Sequence, residues 1–244
     1  MSPRVAITMA RPRRRRRPPG AAERTRATVD LLALQHPDPM CELDRESPLQ
    51  LLVATILSAQ TTDERVNAVT PALFARYPDA AALAGADPAE MQALIKSTGF
   101  FRAKTQAIIA MAHDLVCHYE GEVPPRMEDL VALRGVGRKT ANVVLGVGFG
   151  IPGFPVDTHV TRLVRLLKLT SATDPVEIET DICAMLGPEH WTELSLRLIL
   201  HGRRVCIARR PRCDVCSLNA ICPSASVPGT ARPPAQATPA RASG

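Results

Sequence analysis

Four cysteines fall within 17 residues, Cys206, Cys213, Cys216 and Cys222, spaced C-x6-C-x2-C-x5-C. Four thiols this close can converge on one metal centre, and thiolate ligands select zinc or iron–sulfur chemistry. Zinc sites favour two short C-x2–4-C pairs, and only Cys213 and Cys216 form one. The longer outer loops suit a wider cubane whose irons each take one thiolate. Spacing leans to the cluster and leaves zinc open; brown protein with broad visible absorption decides for iron, colourless protein for zinc. The other cysteines, Cys41, Cys117 and Cys183, are scattered. An odd, uneven set argues against a secreted disulfide framework and for a reducing compartment, each scattered thiol being a buried small hydrophobe.

Arginines crowd the same stretch. Arg209, Arg210 and Arg212 lie between the first two cysteines of the array, and Arg203 and Arg204 just before it. One reading is charge compensation for an anionic tetrathiolate site. The other is a phosphate-gripping loop that the metal centre holds rigid. The body around it is acidic, which favours the second reading.

A second constellation is Leu133-Arg134-Gly135-Val136-Gly137-Arg138-Lys139-Thr140-Ala141. It is not a Walker A loop: Lys139 falls one residue late and position 132 is Ala. The literal G-x-G-x-x-G at Gly148–Gly153 has no preceding strand pattern and contains Pro152, so it is set aside. What remains is helix, tight glycine turn, helix. Gly135 and Gly137 permit positive φ and close backbone approach. The backbone N–H groups after Gly137 make an anion site for nucleic-acid phosphates without base specificity, although a plain helix–helix turn fits the same residues. Lys139 stands at that positive helix end beside Arg138; both disfavour a charged ammonium, and partial burial adds to them. A lysine kept neutral is a nucleophile able to form a Schiff base.

Asp157, in Pro155-Val156-Asp157-Thr158-His159, directly precedes an amphipathic stretch. It reads as a helix N-cap. It reads equally as a carboxylate that takes a proton from Lys139 or stabilises cationic charge on a sugar, and the two roles are compatible if the capped end faces a cleft. His159 is read as a structural hydrogen-bonder or a residue of the site wall.

The elements that must position these groups are helical. Ser47-Pro48-Leu49-Gln50, Asp87-Pro88-Ala89-Glu90 and Asp174-Pro175-Val176-Glu177 each offer a capping side chain, Pro at the first helical position and Glu or Gln at the third. Leu49, Leu52, Val53, Ile56 and Leu57 share one helical face, as do Ile108, Met111, Ala112 and Leu115, and Val160, Leu163, Val164 and Leu167. The helix opened at Pro88 is expected to stop at Gly99. Period-2 alternation is absent. The expectation is an all-α protein of roughly ten short helices, near the mean helix length for this much chain.

Charge and composition bound the partners. The 244 residues carry a net +6, but nine Arg and one Glu lie in residues 1–26, and residues 27–222 are net −4. The basic arm and the last 22 residues, 223–244, read as disordered tails. No apolar run approaches the ~20 residues of a membrane span. Aromatics are 3%, too few for extensive base-stacking platforms. No secretory signal is present, so the chain is read as cytoplasmic, with an organelle transit peptide left open.

Taken together, Leu133–Ala141, Val156-Asp157-Thr158-His159 and the cysteine array closely resemble the endonuclease III family, helix-hairpin-helix DNA glycosylases that act on oxidised pyrimidines. Leu57-Ser58-Ala59-Gln60-Thr61-Thr62-Asp63 and Leu200-His201-Gly202-Arg203 are similar to further family stretches, and the resemblance spans about residues 27–222. It implies a six-helix barrel at 41–151 that ends with the hairpin. It also implies an iron–sulfur domain built from 27–40 and 152–222, holding a 4Fe-4S cluster on Cys206, Cys213, Cys216 and Cys222. DNA is then expected across the cleft between them, with Lys139 on one side and Asp157 on the other. Gln60 matches the residue that fills the gap left in the DNA stack. Phe100 matches an apolar wedge, usually Leu, entering the opposite strand. Gly135, Gly137, Arg138, Arg209, Arg210 and Arg212 complete the implied DNA-binding set, and Arg134 stands where Pro is usual.

The implied activity is bifunctional: excision of an oxidised pyrimidine from duplex DNA, then cleavage of the abasic site 3′ to the lesion by β-elimination. The implied protein is a monomer of the bacterial cytoplasm, nucleoid-associated on DNA, without a membrane role. Adenine-mismatch and thymine-mismatch glycosylases share the fold but are expected to lack the Lys139 amine. A non-catalytic DNA-binding module with a structural metal, and an unrelated zinc protein, are the readings from other classes. A lyase assay on abasic DNA separates the first of these from an enzyme.

Overall fold

The computed structural model describes residues 17–226, and among them the regular structure is helical. Eleven α-helices run in chain order: α1 (Ala21–Gln35), α2 (Pro48–Leu57), α3 (Asp63–Arg76), α4 (Ala80–Ala84), α5 (Pro88–Ile95), α6 (Phe101–His118), α7 (Met127–Ala132), α8 (Arg138–Val143), α9 (Thr158–Leu166), α10 (Pro175–Cys183) and α11 (Trp191–Arg204). The one extended pairing among the described residues is an isolated bridge between Cys206 and Pro211.

The caps form as the sequence dictates. Ser47 Oγ accepts from Gln50 N at 3.2 Å, Asp87 Oδ1 from Glu90 N at 2.8 Å, and Asp174 Oδ1 from Val176 N and Glu177 N. The reciprocal half of the capping box is diverted. Gln50 accepts from Glu46 N one residue early, and Glu90 instead takes Arg76 and the Tyr77 hydroxyl. The chain continues from α5 through a 3-10 turn and leaves it at Gly99, with φ 67°.

The stripe read for α2 is too narrow. Leu51 through Leu57 are all buried, so α2 is a central helix packed on every side. Each Leu, Val or Ile buried there stabilises the fold by about 1.5–3 kcal/mol relative to exposure.

Buried side chains divide into two cores. One gathers residues between Leu43 and Leu145, that is α2 through α8 and the turns joining them. The other joins Ala21, Val29 and Leu32 of α1 to residues between Phe154 and Leu218. The second core therefore draws on both ends of the described chain, around α9, α10 and α11.

Two boundaries differ from expectation. Residues 21–26 belong to α1 rather than to an arm: Ala21 and Thr25 are buried, and Arg24 Nε donates to Leu167 O at 3.0 Å. The high arginine content masks a helix whose inner face is Ala and Thr. Likewise Ser224 Oγ donates to Leu166 O at 2.8 Å, which ties the chain beyond Cys222 to the last residue of α9. Residues 1–16 and 227–244, which carry the rest of those two expectations, lie outside the described residues. No helix among the described residues is long and apolar enough to cross a membrane.

Candidate active site

The hairpin follows from local chemistry. Helix α7 ends at Leu133, the chain reverses through Gly135, and Gly137 opens α8 with an extended backbone. Only Gly135 has positive φ, at 80°, and a Cβ there would lie 2.8 Å from Ala107 Cβ on α6. Gly137 has φ −92° and open space where a Cβ would stand. The turn needs glycine at 135 for conformation and close packing; at 137 the bare backbone is presented outward. Arg134, in the place usual for Pro, clamps this turn. Its backbone N–H and guanidinium both bind Asp114, at 2.8 and 3.0 Å, and its Nη2 reaches Ala110 O. The bonded guanidinium holds the Asp114 carboxyl below the usual carboxylate range.

Lys139 is the second residue of α8, whose Ala141, Asn142 and Val143 are buried in the first core. It is exposed in the free protein, so the burial expected from sequence is absent there. Asp157 caps α9, whose Val160, Leu163 and Val164 are buried in the second core. Its Oδ1 accepts from Val160 N at 2.8 Å, which leaves the second carboxylate oxygen to the site. Both residues line one cleft of about 530 Å³, together with Gln60 and His159. That volume lies in the range of small-molecule sites and admits one nucleobase.

The cleft floor ties the two cores together. Arg203 of α11 bonds Glu42 at 2.5 Å and Asp63, the first residue of α3, at 2.7 Å; Arg204 adds Glu42 at 2.8 Å. Arg203 therefore lines the cleft and Arg204 is tied to the same Glu42, so neither belongs to a five-arginine cluster at the thiol array. Arg138 is also committed within the protein. Its fork meets Glu179 at 2.8 Å twice, and Asn142 donates to the same carboxylate. Arg209, Arg210 and Arg212 are exposed, with no side-chain partner among the described residues.

Gln60 and Phe100 stand on separate loops, both exposed and both with left-handed backbones, φ 53° and 47°. Phe100 is 64% exposed, a large apolar ring held in solvent. Sequence reasoning missed the residue that lies between them, Lys104. It falls on the buried stripe of Ile108, Met111 and Leu115, and a charge at that spacing was the available signal. Burial pushes its pKa down.

Cys206, Cys213, Cys216 and Cys222 line a separate cavity of about 230 Å³. No three or more His, Cys, Asp or Glu among the described residues converge to hold a single metal ion. The donor set is four soft thiols, the ligand type that zinc and iron–sulfur centres take. Burial and the neighbouring cysteines push the Cys216 thiol up to about 11, so an incoming metal must displace its proton. Arg162 donates to Cys206 O at 2.6 Å and approaches its Sγ at 3.6 Å. His201 lies 3.4 Å from Cys216 Sγ; burial, with His36 and Arg162 nearby, pushes its pKa down to about 3, and the ring is neutral near neutral pH. The scattered cysteines are less buried than expected: Cys117 is exposed, Cys41 and Cys183 half-buried.

A family model described as "HhH-GPD superfamily base excision DNA repair protein" matches residues 53–187. The chain is 55% identical to endonuclease III of Synechocystis over 84% of its length and 95% of that protein's. A solved non-covalent endonuclease III–DNA complex aligns with TM-score 0.80 at 37% identity, covering 84% of this chain and 96% of that one. A trapped endonuclease III–DNA covalent intermediate aligns with TM-score 0.80 at 38% identity over the same shares. A helical chain with a glycine hairpin at the mouth of a two-core cleft is thus a member of the HhH-GPD superfamily of base excision DNA repair proteins. Within that superfamily it belongs to the endonuclease III family.

Proposed function

We propose that this chain is a base-excision-repair DNA glycosylase with abasic-site lyase activity, acting on oxidised pyrimidines through a Schiff base on Lys139. The observation that carries the reading is that Lys139 and Asp157, held by different cores, open into one cleft. The covalent enzyme–DNA intermediate solved for an endonuclease III supports a nucleophile of this kind.

The damaged nucleotide leaves the duplex and enters the cleft, at a cost of a few kcal/mol that is least for poorly stacked bases. The Lys139 amine attacks C1′ of the deoxyribose. Asp157 takes the proton that the amine loses, or stabilises positive charge on the sugar as the glycosidic bond breaks. The base departs with the bonding electron pair, and opening of the sugar ring leaves a C1′ iminium on Lys139. Loss of a C2′ proton then expels the 3′ phosphate, cutting the strand by β-elimination. Gln60 and Phe100 occupy the space vacated in the two strands. The backbone at Gly135 and Gly137 meets a phosphate, and Arg209, Arg210 and Arg212 grip the strand further along. Arg138 joins that set only by releasing Glu179.

Cys206, Cys213, Cys216 and Cys222 would hold a 4Fe-4S cluster; bound there it supplies rigidity to the arginine loop. The thiol-only donor set supports a soft-metal centre, and the long outer loops of the C-x6-C-x2-C-x5-C array support a cluster over one zinc ion. The chemistry of base removal rests on Lys139 and Asp157 alone.

Borohydride reduction in the presence of an abasic duplex is expected to trap a covalent protein–DNA adduct, and Lys139→Gln to abolish it. Full trapping by that variant would show that another amine is the nucleophile.

A further inference from the structure

Among the described residues Lys104 is the one lysine that is buried, at 5% exposure. Its ammonium has no carboxylate partner. It donates to Leu57 O at 2.7 Å, Thr61 Oγ1 at 2.8 Å and Thr98 O at 2.8 Å, so all three N–H bonds are used. Two of these acceptors are helix ends. Leu57 closes α2 and Thr98 closes the 3-10 turn after α5, where unpaired carbonyls and the negative end of the helix dipole favour a cation. The Thr61 hydroxyl completes the ring by donating to Thr98 O.

The ring joins two loops that are distant in sequence. Gln60 lies between Leu57 and Thr61, and Phe100 lies two residues beyond Thr98. Each is a non-glycine residue with positive φ and an exposed side chain. Such a conformation is strained and persists only where the surroundings over-determine it. An apolar residue at 104 would continue the stripe of α6 without placing a charge in the interior, but would take this donor from Leu57 O and leave Thr98 O with the Thr61 hydroxyl alone.

We propose that Lys104 is a positioning residue for DNA opening, fastening the Gln60 and Phe100 loops into one rigid pair so that both side chains enter the duplex at a fixed separation. This rests on the reading that Gln60 and Phe100 fill the opened stack. Lys104 itself touches neither DNA nor the reacting atoms; it acts through the loops. Its loss therefore affects steps that require the duplex to open and spares steps that do not.

The test uses full-length, metal-loaded protein and two probes. The first is a duplex with one thymine glycol opposite 2-aminopurine, read by fluorescence and by single-turnover excision. The second is a single-stranded abasic oligonucleotide, read by borohydride trapping. Lys104→Met is expected to reduce the fluorescence rise and to slow duplex excision by about tenfold or more, while single-strand trapping stays within about twofold. The same loss is expected from the Gln60→Ala/Phe100→Ala pair, and adding Lys104→Met to that pair is expected to change nothing further. Thr61→Val, which removes one member of the ring and keeps the side-chain shape, is expected to slow duplex excision about fivefold, and carries the same comparison if Lys104→Met does not fold. Equal losses on both probes, a loss that multiplies with that of the loop pair, or no effect of Thr61→Val would overturn the proposal. If the loop pair leaves the fluorescence rise intact, the assignment of the loops is wrong and the proposal falls with it. Normal trapping alongside that result would locate the error in the loops and leave the Lys139 reading standing.

Discussion

At the scale of the residue, Asp157 carries two duties that substitution can separate. One oxygen caps α9 through Val160 N, and the residue also lines the cleft shared with Lys139. Asn caps as well as Asp, so Asp157→Asn should keep the melting temperature and lower single-turnover excision by about 10²–10⁴-fold. Asp157→Ala should lose the same activity and, in addition, about 1 kcal/mol of stability, read by denaturant unfolding. An Asn variant with full activity would leave Asp157 a cap and nothing more. Arg138 and Arg134 are committed within the protein: the resemblance implied a DNA contact for Arg138, and in the free protein it forms a forked ion pair with Glu179, as Arg134 does with Asp114. Long cationic side chains choose partners by what folds beside them, and the chain order near position 134 says nothing of Asp114 or Glu179.

At the scale of the element, the hairpin assigns its two glycines different tasks. Gly135→Ala forces a side chain into positive φ and against Ala107, and should cost about 1–3 kcal/mol in unfolding free energy. Gly137→Ala meets no such obstacle. It should leave stability unchanged or raise it by about 0.4–1 kcal/mol, because the unfolded chain loses freedom. Its added methyl stands where a phosphate would approach, so duplex affinity should fall about fivefold at every sequence, measured by fluorescence anisotropy. If both variants behaved alike, the hairpin would be a plain structural turn. The spacing of the glycines was legible in the sequence; which of them needs positive φ was set by α6 packing behind the turn.

At the scale of the molecule, charge is local. The described body is acidic, and Arg209, Arg210 and Arg212, which have no side-chain partner among the described residues, stand on the loop beside the four cysteines. Replacing all three with Ala should lower affinity for all duplexes and reduce the slope of log K against log salt by about 0.9 for each phosphate no longer neutralised. The visible absorption of the metal centre should be unchanged in that variant. An unaltered salt slope would place DNA elsewhere.

The sequence alone determined the helical class, three of the capped helix starts, the thiol array and the glycine hairpin, because each is written in residues a few positions apart, whereas Lys139 and Asp157 meet in one cleft only through the fold. Periodicity also marked the inner faces of α6 and α9. Tertiary structure decided the rest. It showed α2 buried on every side, extended α1 back to Ala21 through residues whose composition looked like a tail, and turned Arg203 toward Glu42 and Asp63. It also placed Lys104 between Leu57, Thr61 and Thr98, residues up to 47 positions away. Local hydrogen bonding and hydrophobic period are fixed by near neighbours in the chain. Which cation meets which acceptor is fixed by packing, and packing brings together residues whose separation along the chain carries no trace of the meeting.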